Sequence, residues 1–133
     1  SFVIDRAFAH WLVSTAAQTF ASIWLCVHPV GMTAPDNDIT ARNSLSGKAS
    51  GGNGRFDNGA TVGSDGWFPW GTQVETSATG VLPGAASIAE VGGRIILPPT
   101  AAISIHVVSG LVGDTFAAGF AWWEVPETEL GVN

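Results

Sequence analysis

The segment TFAAGFAWWEV, residues 115–125, has no polar side. In an extended strand, successive side chains point to opposite faces. One face would carry Phe116, Ala118, Phe120 and Trp122, and the other Ala117, Gly119, Ala121, Trp123 and Val125. An antiparallel strand with one wet face alternates apolar with polar residues. This one must be covered on both sides, and its interleaved small residues call for a second surface packed closely over it. Either a loop of the same chain or an identical neighbour would serve. Composition favours the neighbour. Charged residues are 12% of the chain, about half the usual share, while 46% is hydrophobic, with six Trp, seven Phe and no Tyr. A surface so poor in charge is built from Ser, Thr, Asn and Gly, or is covered by other chains.

The 133 residues suit one domain spanning 1–133. Cys26 is the lone cysteine, so no disulfide forms within one chain, and in IWLCVHP it reads as a small buried hydrophobe. The net charge is −6, and the five Lys and Arg are spread thinly. Nucleic-acid binding needs clustered cations to displace counterions, so direct contact with DNA or RNA is not expected. No uninterrupted apolar run is long enough for a transmembrane helix, and no membrane partner is expected. The opening SFVIDRAFAHW lacks a basic region followed by an apolar block and does not read as a signal peptide.

Residues 2–18 are open between two periods. Ile4, Phe8, Trp11 and Thr15 fit a helical face, whereas Phe2, Ile4, Phe8 and Leu12 share strand parity. Strand is the favoured reading, because TFASIWLCVHPVG follows, aromatic and β-branched and ended by Pro29 and Gly31. There Ala21, Ile23, Leu25 and Val27 form one face, and Phe20, Ser22, Trp24, Cys26 and His28 the other. About 32–66 is a Gly-rich insertion of long loops, with one short strand near 38–45. A strand is expected over 67–76, a helical turn or strand at AASIAEV, and a hairpin-like unit at RIILPPTAAISIHVVSG with Pro98-Pro99 as its corner. A final strand occupies 115–125. Many short strands between Gly/Pro turns make an all-β antiparallel sandwich or barrel.

Chemistry-bearing clusters are sparse. DNDIT at Asp36–Thr40 opens like a calcium loop, but Ala41 and Gly47 stand where an EF-hand needs glycine and an acid. Asp36 and Asp38 are read as a solvated, turn-forming cluster, with a looser calcium site as the alternative. His10, His28 and His106 lack metal-ligand spacing, so no metal and no cofactor is expected. Cys26 and His28 share a strand face, yet no acid lies near in sequence to orient a nucleophilic pair, and packing is the simpler reading. Glu124, Glu127 and Glu129 sit at the rim beyond the last strand, with Glu124 placed to pair with an arginine such as Arg94. No enzymatic constellation emerges. The binding candidates are aromatic: Trp67, Phe68 and Trp70 of WFPW, and Phe120, Trp122 and Trp123. Tryptophan anchors interfaces. It also stacks on sugars, which leaves a carbohydrate-binding or host-attachment module using Trp67 and Trp70 as the alternative.

The run RIILPPTAAISIHVVSG, followed by DTFAAGFAWWEVPE, resembles the end of small jelly-roll proteins from the virions of tailed bacteriophages. In these a strand enters an LPP corner, a second follows, and the last closes on an aromatic, a Glu and a Pro. ASIWLCVHPVG resembles their earlier strand, with His28-Pro29 at its turn. Tumour-necrosis-factor-like (TNF-like) trimers end in a comparable strand. The resemblance implies a jelly-roll β-sandwich and a capsid decoration (cement) protein that forms homotrimers. Its partners would be the major capsid protein or other virion proteins. It would be assembled in the host cytoplasm and sit on the capsid surface. The family supplies no catalytic residues.

Overall fold

A computed structural model describes residues 1–15, 19–29, 36, 39–43, 47, 51–58, 66–76, 80–81, 86–109 and 113–130. The chain is all-β. Its strands are β1 (Phe2–Ser14), β2 (Thr19–His28), β3 (Trp67–Thr76), β4 (Gly80–Val81), β5 (Ala86–Leu97), β6 (Ala102–Ser109) and β7 (Thr115–Glu124), and a 3-10 turn at Glu127–Glu129 follows. Every strand pairing is antiparallel. One sheet places β1 between β5 and β7, with β4 pairing the last residues of β1. The other has the order β3-β2-β6. The two sheets enclose a core of Ile4, Ala7, Ala89, Val91 and Leu97 from the first and Leu25 from the second, with Trp70, Ile103, Ile105, Phe120 and Trp122 packed against it. This is a sandwich-like arrangement of two layers.

The β1 segment is a strand, but with a break in parity. Its register with both neighbours shifts between Ile4 and Arg6. Ile4 faces the core; past the shift so do Ala7, Ala9 and Trp11, while Phe8 points out and is exposed. An even-numbered face running through Ile4, Phe8 and Leu12 therefore does not form. A bulge inserts an unpaired residue and reverses the alternation beyond it. On β5 the same irregularity is taken up by Gly92 and Gly93, both at positive φ (59° and 77°), and Arg94 closes it by donating to the carbonyls of Val91 and Glu90, each at 2.9 Å. Arg94 is thus committed to this bulge and not to Glu124. A Cβ on Gly92 would touch nothing, so Gly92→Ala isolates the backbone cost. It is expected to lower stability by about 1–2 kcal/mol, read as a shifted urea midpoint at unchanged slope.

AASIAEV and RIIL, separate in the sequence reading, are one strand across this bulge. Nor do β5 and β6 make a hairpin. Pro98-Pro99 carries the chain from one sheet to the other, through a turn closed by Ala101 N–H donating to Pro98 C=O at 3.1 Å. Thr100 occupies its third position at φ 69°, the left-handed conformation of a type II turn that follows Pro. In 38–45 the described residues form no strand, and Arg42 makes a single bridge.

Candidate functional site

The WFPW and WW aromatics separate into two sets. Trp70, Phe120 and Trp122 are half-buried and pack against the core. Trp67, Phe68 and Trp123 are exposed, Trp123 at 57%. Trp70 is therefore not offered beside Trp67 as a paired sugar platform. Trp122 is screened by the same chain: Phe56, from the Gly-rich segment, lies on it with ring centroids 4.7 Å apart. Asn53 N–H donates to Glu124 at 3.3 Å nearby, so this part of the segment is folded back on the end of β7. Gly119 is also covered from within. The ring of Phe8, on β1, stands where a Cβ on Gly119 would go, 2.8 Å away. Over Gly119 the close second surface that the small residues call for is thus supplied by the same chain. Trp123 is different. Val3 pairs with Trp123 on one side and Ile96 on the other, so the three form a row across β7, β1 and β5. Ile96 and Trp123 are both exposed, and Phe8 beside Ile88 makes a second exposed row on the same outer face. Arg6 lies between the rows and reaches Asp5 at 3.2 Å and Glu90 at 3.9 Å.

The other sheet also shows apolar groups outward. Phe20, Trp24 and Val108 are exposed there, Val108 at 61%, and Phe68 meets Trp24 edge-on at 6.0 Å. Among them lies a polar cluster that spacing along the chain does not reveal. The β2–β6 register sets Cys26 opposite Ser104 and Trp24 opposite His106. Same-face residues on paired strands are neighbours directly and diagonally, and Cys26, His28, Ser104 and His106 converge. One ligating atom from each of Cys26, His28 and His106 lies within 4.8 Å of the others. The Ser104 hydroxyl bridges the two rings, 2.6 Å from His28 Nε2 and 2.8 Å from His106 Nε2. Phe68 stands edge-on to His106 at 5.8 Å.

Cys26 and His28 point away from the core and are nonetheless fully buried. Residue 66 lies over them. A Cβ there would come 2.5 Å from Cys26 Sγ, 2.6 Å from the Val27 carbonyl and 3.1 Å from His28 Nδ1, so only glycine fits. His28 Nδ1 is buried and has no hydrogen-bond partner among the described residues. Burial pushes the Cys26 thiol up from its ordinary value. Burial, reinforced by the nearby His106, holds His28 below its own. Both shifts favour neutral groups, the reverse of the thiolate–imidazolium pair that a cysteine nucleophile uses.

The remaining candidates stay apart. His10 Nε2 is buried without a partner among the described residues, away from this cluster on β1. Asp36 N–H donates to Asp57 at 3.4 Å, and Asp38 lies outside the described residues. Glu124 and Glu129 are exposed at the rim. A shallow, largely apolar pocket with room for little more than a water molecule is lined by Ala7, Ile23, Leu25, Trp70 and Ile105 among others. No helix among the described residues is long and apolar enough to cross a membrane. No protein-family model, no curated protein and no solved structure matches the chain.

Proposed function

We propose that the chain is a structural virion component, a capsid decoration (cement) protein that works by assembling with copies of itself and with the shell. The observation that carries the assembly is the row Val3–Ile96–Trp123, with Phe8 and Ile88 in a second apolar row beyond the Arg6–Glu90 pair. Exposed apolar rows rimmed by polar groups mark interaction sites on small proteins, and tryptophan is enriched among the anchors within them. The phage-virion cadence of the C-terminal third supports the setting, on the capsid surface after assembly in the host cytoplasm. It also supports the jelly-roll, TNF-like connectivity and the homotrimer. On this reading the sheet of β7, β1 and β5 meets neighbouring copies, and Trp67 and Phe68, exposed at the start of β3, meet the major capsid protein. The function is non-enzymatic, with burial of apolar area as its driving force, at roughly 25 cal/mol per Å² before association costs.

Sedimentation equilibrium of the dilute protein tests this directly. The expected species is a trimer of the 13.7 kDa chain, which adds back to particles stripped of it and raises their resistance to heat. A monomer at micromolar concentration that leaves stripped particles unchanged would overturn the proposal.

A further inference from the structure

From the convergence of β2 and β6 we infer that Cys26, His28 and His106 form a binding site for a single zinc-type divalent ion, with Ser104 as the group that orients the two imidazoles. The inference concerns the outward side of the second sheet and does not depend on the assembly reading.

A thiolate with two imidazoles is a nitrogen–sulfur donor set suited to zinc, and softer than the carboxylate and carbonyl sets that hold calcium or magnesium. The residues come from two paired strands, so the site is braced by a ladder already in place. Three features single it out from chance proximity. His28 Nδ1 is buried without a partner among the described residues, and both it and Cys26 Sγ face the backbone of Gly66, where a built Cβ would come 3.1 Å from the one and 2.5 Å from the other. A ring nitrogen sealed there without a partner is a group that a metal would satisfy. Ser104 sits at hydrogen-bond distance from both Nε2 atoms. Metal-bound histidines use their second nitrogen in this way, which fixes the tautomer and the ring plane. Finally, the backbone at Gly66 caps the cluster at a distance no side chain would permit, so water is kept from the thiol.

The donor atoms lie within 4.8 Å of one another. In a tetrahedron with zinc–ligand bonds of 2.0–2.3 Å the edges are about 3.5 Å. Closing the difference takes about an ångström of side-chain movement, which His106, half-buried against Phe68, is the residue best able to make. The Cys26 thiol loses its proton to solvent as the metal–sulfur bond forms. Three protein ligands leave a fourth position for water on the half-buried His106 side, while the Ser104 hydroxyl stays on the Nε2 atoms it orients. The ion would tie β2 to β6 and hold residue 66, and with it the entry to β3 at Trp67 and Phe68.

Cobalt(II) and zinc(II) added to chelator-treated full chain make the test. Expected are one Co²⁺ per chain, visible d–d bands of a tetrahedral ion and a near-ultraviolet thiolate-to-cobalt charge-transfer band. Zn²⁺ should abolish these bands and raise the melting temperature in a concentration-dependent way. Cys26→Ser should lose the charge-transfer band. His106→Gln, at a half-buried position that leaves the fold intact by circular dichroism, should weaken binding at least as much as Ser104→Ala, for which about 10–100-fold is expected. Folded wild-type protein that shows no charge-transfer band and no Zn²⁺-dependent melting shift overturns the inference. So does a His106→Gln variant that binds as tightly as wild type. Ions held by exposed carboxylates give no thiolate band, so that outcome also counts against it.

Discussion

Trp11→Ala is expected to destabilise the protein by about 3–5 kcal/mol. Small domains have only about 5–15 kcal/mol in total, so the variant should be largely unfolded at modest denaturant. Trp11 is the largest fully buried side chain. It stacks on Phe116 at 5.4 Å and 21°, and its indole N–H donates to the Val13 carbonyl at 2.9 Å. Truncation removes the stack joining β1 to β7, leaves Val13 short of a donor and opens a cavity too large for the two strands to close. Trp11→Phe keeps the aromatic contact and should cost appreciably less. Urea titrations followed by far-ultraviolet circular dichroism compare the two; equal midpoints for both variants and wild type would remove Trp11 from its central place.

Trp123→Glu is expected to do the opposite: to leave the isolated fold almost unchanged and to dissolve the assembly. The indole is more than half exposed, so little packing within the chain is lost. If a neighbour covers the exposed part, each copy gives up roughly 3 kcal/mol of apolar burial, which weakens each contact about 100-fold. The carboxylate adds a desolvation cost. The measurement is sedimentation equilibrium of wild type and variant at matched concentrations, with melting temperature as the control. An unchanged mass would take this face out of the interface.

The two substitutions also separate what was readable in the chain from what was not. The strand character of 115–125 and the division of β2 into a face of Ala21, Ile23 and Leu25 and a face of Trp24, Cys26 and His28 follow from period-two alternation alone. Alternation fails wherever an extra residue enters. The bulge beside Asp5 reverses the faces of β1, and the residues that create it, Gly92 and Gly93, are far along the chain on a strand whose pairing no local pattern announces. The Cys26–His28–His106 cluster was hidden for a related reason. Two of its members are two residues apart, but the third arrives through the β2–β6 register, and linear spacing carries no trace of it. The available signal was weaker: SIHVV has a Ser and a His on the face left over once Ile103, Ile105 and Val107 are assigned inward. The cover over Trp122 and Gly119 was illegible too, because it comes from Phe56 in a stretch without periodicity and from Phe8 on a face reversed by the bulge.

The central position of β1 bears on how the molecule is made. Phe2 pairs with Leu97 on one side and Glu124 on the other, and β2 finds its partners only at Trp67–Thr76 and Ala102–Ser109. During synthesis β1 and β2 therefore leave the ribosome with unsatisfied edges and wait for the later strands that pair with them. Ladders of such long sequence separation close slowly, in milliseconds to seconds. A nascent chain this apolar would profit from a holding chaperone over that interval.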